Sequence, residues 1–277
     1  MEVRATRLIR KMRGGAQAHL LECDDGHFYV VKFRNNPQHR RILINEFIAS
    51  LLLNYLQVST PEAAIVNLSS GFLEANPEIY IQLGSQHQEV EPGWHFGSRY
   101  PGDPAKVMVF DFLPDGLLEK VVNAAEFLGV LVFDKWTGNA DARQSIFIRT
   151  RVRQRLEPGN EPTMRAGFVA LMMDHGYVFD GPYWKFPDSP LQGLYFRPSI
   201  YQRVRGWEDF QPWLDRVVCF PEQVIEGITK QIPPEWLAED STELQTMLEK
   251  LMRRRKHVPD LINDSRRGRV NPFPGWR

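Results

Sequence analysis

Cysteine is scarce: two in 277 residues, Cys23 and Cys219, too few for a disulfide framework, so each reads as a small buried hydrophobe in a reducing compartment. Long apolar runs are missing as well. The longest, residues 127–133, is far too short to span a bilayer. The opening Met1-Glu2-Val3-Arg4-Ala5-Thr6-Arg7 sets charges where a secretory peptide would carry its apolar core. These absences predict a cytoplasmic protein with no membrane partner. Charge of one sign is lacking too: Lys plus Arg and Asp plus Glu number 34 each, which argues against a polyanion as the main ligand. The basic run Arg253-Arg254-Arg255-Lys256-His257 ends a helical stripe, where cations complement the helix dipole, so direct nucleic-acid binding is not expected. There is no Gly-x-Ser-x-Gly elbow and no Cys/His spacing for zinc, which disfavours a hydrolase triad and a zinc site.

The first part of the chain reads as strands. Residues 3–9 predict a strand, a run of small residues follows at Gly14-Gly15-Ala16-Gln17, and Asp24-Asp25-Gly26 predicts a hairpin turn into a strand over 28–33. Small residues at a hairpin tip let backbone N–H groups approach phosphate oxygens, although such a tip is often only a turn. Lys32, between Val31 and Phe33, faces either solvent or a cleft. Residues 40–56 carry apolar side chains three and four apart and predict a helix with Glu46 at the edge of the stripe. Further strands are expected over 63–68, 79–83 and 106–112. Residues 91–104 hold enough Gly and Pro to predict an irregular loop, one that could fold over a cleft with Trp94, His95, Phe96, Ser98 and Arg99. The Pro114-Asp115-Gly116 break marks a boundary between lobes at 1–114 and 115–277.

The stretch from Phe133 to Phe147 organises the rest. It leaves an apolar helix predicted over 117–136, crosses a polar loop with Asn139 and Asp141, and enters a strand over 146–152. A charged insert over 153–165 reads as an exposed hairpin, and a strand over 166–173 ends at Asp174-His175-Gly176. Two carboxylates at the ends of buried elements, with a lysine on a distant strand, are the set that phosphoryl transfer needs. One acid orients the nucleophile, one holds metal, and the lysine neutralises phosphate charge. Beyond Gly176 the chain turns aromatic and proline-rich, in keeping with a substrate-docking segment or a packed irregular surface. Helices are predicted over 207–220, over 221–232 and after Pro233. A last amphipathic stripe runs through Leu244, Met247, Leu248, Leu251 and Met252, and the tail 264–277 is loose or docked.

Together the Gly15-Ala16-Gln17 tip, Val31-Lys32-Phe33, Asn45-Glu46, His95-Phe96-Gly97-Ser98, the stretch from Phe133 to Asp141, and Asp174-His175-Gly176 resemble the HipA-like kinase family of the protein-kinase-like superfamily. The resemblance implies an α+β, bilobal protein-kinase-like fold. Its N-terminal lobe would be β-rich with one main helix, and its C-terminal lobe mostly helical. ATP and Mg²⁺ would be the cofactors. By motif position, Asp141 would be the catalytic acid, Lys32 the phosphate lysine and Glu46 its pairing partner. Gly14, Gly15, Ala16 and Gln17 would form the phosphate loop, and Phe110 and Phe112 would flank the adenine at the hinge. Asp174 would be the metal-binding acid. One departure stands out: the asparagine usual five residues after the catalytic acid is Ile146 here, which cannot ligate Mg²⁺, so Gln144 or Ser145 would have to substitute. Arg143 stands where many relatives carry histidine. The acceptor could be a protein Ser or Thr, including the chain's own Ser98, or a small molecule. A silent nucleotide-binding relative is the third reading. Some relatives pair with helix-turn-helix antitoxins, which makes such a protein a candidate partner.

Overall fold

The computed structural model describes residues 1–154, 163–268 and 270–277. Strands β1 (Glu2–Lys11), β2 (His19–Cys23) and β3 (Phe28–Lys32) form a meander, followed by helix α1 (Arg41–Leu56) and strand β4 (Ala63–Leu68). Short helix α2 (Ser70–Glu74) leads to a two-stranded ribbon, β5 (Tyr80–Leu83) and β6 (Gln86–Glu89), and then to β7 (Gly93–Arg99). Five of these strands close into a barrel in the order β1-β2-β3-β7-β4, sealed by parallel pairing of Glu2, Val3 and Arg4 with Ile65, Val66 and Asn67. Successive strand residues face opposite sides of a sheet. Val31 and Phe33 therefore fill the barrel core with Leu21, Tyr29 and Val66, while Lys32 faces away from it.

Half of the loop expected over 91–104 is in fact β7, a central strand paired on both sides, with β3 and with β4. Glycine misled the reading, because Gly97 is there for close approach: a Cβ on it would lie 2.5 Å from Val66 Cγ2. Ser98 pairs with Val30 on one side and Ala63 on the other, so it belongs to the sheet and not to a loop over a cleft.

Helix α1 is buried nearly all round, including Asn45, Glu46 and Ser50, as a helix apolar on every face must be. It packs with Ile65 and Phe96 of the barrel and also with the helices that follow, in a second and larger core. That part of the chain opens with β8 (Val109–Phe110), α3 (Asp115–Leu118), α4 (Glu126–Thr137), β9 (Gln144–Gln154) and β10 (Thr163–Met173). Of the strand expected over 106–112 only β8 forms, and it pairs with β9 in a sheet ordered β10-β9-β8, apart from the barrel.

The single helix expected over 117–136 is two, α3 and α4. Between them the backbone joins the edge of β10: Val122 N donates to Phe168 O, and Phe168 N donates to Lys120 O. The Asn123 side chain both donates to Ala170 O and accepts from Ala170 N. Strand pairing there outcompetes the apolar periodicity. Pro212 likewise splits the helix expected over 207–220 into a 3₁₀ turn, Trp207–Phe210, and α5 (Trp213–Val218). The remaining helices are α6 (Glu222–Thr229), α7 (Pro234–Leu237), α8 (Ser241–Arg254) and α9 (Val258–Arg267). The predicted stripe buries Leu244, Met247, Leu248 and Leu251. The tail docks: Phe273 and Trp276 are buried against Tyr201 and Phe210. The expected hairpin insert over 153–165 lies largely outside the described residues. Among those residues, no helix is long and apolar enough to cross a membrane.

Candidate functional site

Three side chains from distant parts of the chain meet where the two cores adjoin. Lys32, the last residue of β3, forms an ion pair with Glu46 of α1, and its Nζ donates to Asp174 Oδ1 at 2.9 Å, just past β10. Burial alone would lower the Lys32 ammonium, but the Glu46 and Asp174 carboxylates outweigh it and hold the ammonium above its ordinary value. Burial pushes Glu46 up, against the pull of Lys32. Burial also opposes ionisation of Asp174, yet Lys32 prevails and holds it below the usual carboxylate value. The sites differ in access, with the Glu46 side chain 4% exposed and that of Asp174 36%.

Backbone geometry around Asp174 is strained. Its φ is 58°, a left-handed conformation that a non-glycine residue holds only when its surroundings impose it. The imposing contacts come from α1: His175 N donates to Glu46 Oε2 at 3.0 Å, and Asn45 Nδ2 donates to Gly176 O at 2.8 Å. Gly176 must be glycine, since a Cβ would sit 2.7 Å from Ile42 Cγ2.

Asp141 is placed beside this turn by its loop. Its N–H donates to Asn139 Oδ1 at 3.2 Å, Ala142 N donates to Asp141 Oδ1 at 2.7 Å, and the residue is exposed. Two residues on, the buried Arg143 pairs with the buried Asp134 of α4. Arg143 Nη1 also donates to Met173 O at 3.0 Å and to His175 Nδ1 at 2.8 Å. A guanidinium only donates, so His175 Nδ1 accepts and the ring proton sits on Nε2, which donates to Thr60 Oγ1 at 3.1 Å. Thr60 Oγ1 in turn donates to Met172 O at 2.9 Å. Burial, reinforced by Arg143, holds His175 well below its ordinary value and therefore neutral. Ala140 N donates to Tyr177 O at 2.9 Å, a further lace between the Asp141 loop and the chain after Asp174.

The other expected site residues fall into place unevenly. Gly14, Gly15, Ala16 and Gln17 form the turn between β1 and β2. The Gln17 side chain is occupied by β5, donating to Gln82 O at 2.8 Å and accepting from Gln82 N at 2.7 Å. The Gln17 N–H closes the turn onto Gly14 O at 3.1 Å. Phe110 is half-buried, its ring edge-on to Phe168 at 5.9 Å. Phe112 is 63% exposed, with the Arg197 guanidinium 4.5 Å over its ring. Gln144 is exposed and opens β9 opposite Met173, next to Asp174, while Ile146 pairs with Leu171 and is 8% exposed. Ser145 Oγ is buried and unpartnered among the described residues.

No group of three or more His, Cys, Asp or Glu side chains among the described residues could hold a metal unaided. Mg²⁺ is bound through one or two carboxylates, waters and substrate phosphates. Asp174, with Gln144 paired to the residue before it, suits that mode and no all-protein cage.

The sequence reading missed the Asp134–Arg143 pair, Thr60 and the role of Asn45. A signal for the first was present: Asp134 interrupts an apolar helix, and a charge there demands a buried partner.

A model of the HipA-like kinase family matches residues 5–149, which takes in Lys32, Glu46, Asp141 and Gln144 and stops short of Asp174. The fold is similar to that of a Golgi casein kinase crystal structure, with a TM-score of 0.50 and 11% identity over 99% of this chain and 78% of that one. A crystal structure of the Golgi casein kinase with Mn/ADP bound gives 0.45 and 12% identity, covering 95% of this chain and 73% of that one. No curated protein matches.

Proposed function

Because this chain belongs to the HipA-like kinase family, we propose that it transfers the γ-phosphate of ATP, with Mg²⁺, to a Ser or Thr hydroxyl of a protein. The observation that carries this reading is the meeting of Lys32, Glu46 and Asp174 from three remote segments, beside the loop that presents an exposed Asp141. Glu46 holds the Lys32 ammonium toward the nucleotide phosphates. The turn at Gly14, Gly15, Ala16 and Gln17 covers them, with the Gly15 and Ala16 N–H groups donating, since that of Gln17 closes the turn onto Gly14 O. Asp174 and the Gln144 carbonyl hold the cation, which supplies charge neutralisation between the phosphates when bound. Asp141 accepts the proton of the attacking hydroxyl, which falls to an exposed carboxylate fixed through only one oxygen. Phe110 and Phe112 flank the base. Residues 1–114 and 115–277 act as the two lobes of a cytoplasmic enzyme, and a helix-turn-helix antitoxin is the kind of partner its family suggests.

A second reading rests on Ile146: nucleotide binding without transfer. Incubation with radiolabelled ATP and Mg²⁺ separates the readings. Phosphate on a protein acceptor or on the chain itself supports a protein kinase, phosphate only on a small molecule redirects the substrate class, and binding with no transfer supports the second reading. Asp141→Asn is expected to keep nucleotide binding and slow transfer by about 100-fold or more. An Asp141→Asn variant as fast as the parent removes Asp141 from its role.

A further inference from the structure

Asn45 of α1 has every polar group engaged. Its two Nδ2 hydrogens go to Gly176 O at 2.8 Å and Gly181 O at 2.9 Å, with Val178 O at 3.2 Å a third acceptor sharing one of them, and its Oδ1 accepts from Trp184 Nε1 at 2.9 Å. The side chain is 0% exposed. Three carbonyls at one end and an indole N–H at the other fix which end is nitrogen. The neighbouring residue Glu46 takes the N–H of His175 and pairs with Lys32. Consecutive residues of one helix therefore grip consecutive residues after Asp174, and Asp174 is the residue whose backbone is held at φ 58°. Such a conformation persists only where neighbours over-determine it. Arg41, one turn earlier on the same helix, extends the grip: it pairs with Asp240 at 2.5 Å, donates to Pro182 O at 2.9 Å and stacks on Trp184 at 4.2 Å.

We propose that Asn45 is a positioning residue for Asp174, fixing through the carbonyls of Gly176, Val178 and Gly181 the turn that aims the Asp174 carboxylate at a divalent cation. The inference rests on the kinase reading of Asp174. A carboxylate in place of the amide would face three carbonyl oxygens, so Asn45→Asp removes the donors at nearly unchanged volume. Trp184→Phe is the gentler variant, removing the hydrogen bond to Asn45 Oδ1 and loosening the Arg41 stack while leaving the Asn45 donors in place. Leu53→Ala on the same helix, where Leu53 is fully buried, serves as a control that weakens packing without touching the turn.

The experiment reads two quantities. In the ligand-free protein, amide hydrogen exchange over residues 175–181 is expected to speed up at least tenfold in Asn45→Asp and measurably in Trp184→Phe, with Leu53→Ala at the parental rate there. With ATP held constant, the Mg²⁺ concentration giving half-maximal nucleotide-induced stabilisation is expected to rise at least fivefold in Asn45→Asp, less in Trp184→Phe and not at all in Leu53→Ala. Should Asn45→Asp fail to fold, Trp184→Phe decides. Variants with parental exchange and a parental Mg²⁺ midpoint, in a protein whose parent responds to Mg-ATP, overturn the inference alone. A parent with no response to Mg-ATP defeats the kinase reading and the inference together.

Discussion

Lys32 is a cation caught between two carboxylates of unequal access, and that inequality assigns their work. Glu46 is sealed in, so its partnership with Lys32 is fixed. Asp174 is more than a third open, which is the access the proposed cation-binding role requires. Ionic contacts elsewhere hold structure. Asp240 receives Arg41 through two bonds and Arg40 through a third, and the Arg41 bonds hold its carboxyl below the ordinary value of 3.8. A depressed folded-state value means that the stabilisation is complete above the unfolded value and fades as pH falls through the depressed one. The Asp240 contribution should therefore hold down to about pH 4 and fade below it, on top of the loss that the buried, neutral His175 begins as pH falls through its ordinary value of 6.5. Asp240→Asn should start lower at neutral pH and fall more gently in an acid titration. An unchanged acid limb would assign the loss to other carboxylates.

Helix α1 is the element that joins barrel to site, and most of what it does was legible. Its apolar spacing predicted it, and Asn45-Glu46 stood out within it; what the spacing could not say was that the helix is buried nearly all round apart from Asn54 and Tyr55 near its end, because periodicity reports one face and not what lies against the others. β7 was illegible for a different reason. Gly93, Gly97 and the preceding Pro92 read as loop punctuation, whereas Gly97 is small because Val66 and Tyr29 pack onto it. Gly97→Ala is thus expected to destabilise the protein by about 1–3 kcal/mol through overpacking, read by urea denaturation, and an unaffected midpoint would mean that Val66 can move aside. The split between α3 and α4 was hidden as well, since the strand edge that captures residues 120–122 is nearly fifty residues away in sequence.

At the scale of the molecule, a strand barrel with its own core and a larger body with a second core each contribute part of one site: Lys32 from the first, Asp141 and Asp174 from the second, and Glu46 from the helix between them. The sequence supplied these four by order and residue type. It could not supply the lacing through Asn45, Arg143, His175 and Thr60, which depends on contacts formed only in the fold. The most direct test of the central claim is the melting temperature of parent and Lys32→Ala protein across increasing Mg-ATP. A ligand that binds only the folded state at about 100 times its dissociation constant adds roughly 2.7 kcal/mol, so the parent should gain stability progressively, while Lys32→Ala should gain little or none. An equal gain in both proteins would contradict the account, because the nucleotide would then bind away from Lys32.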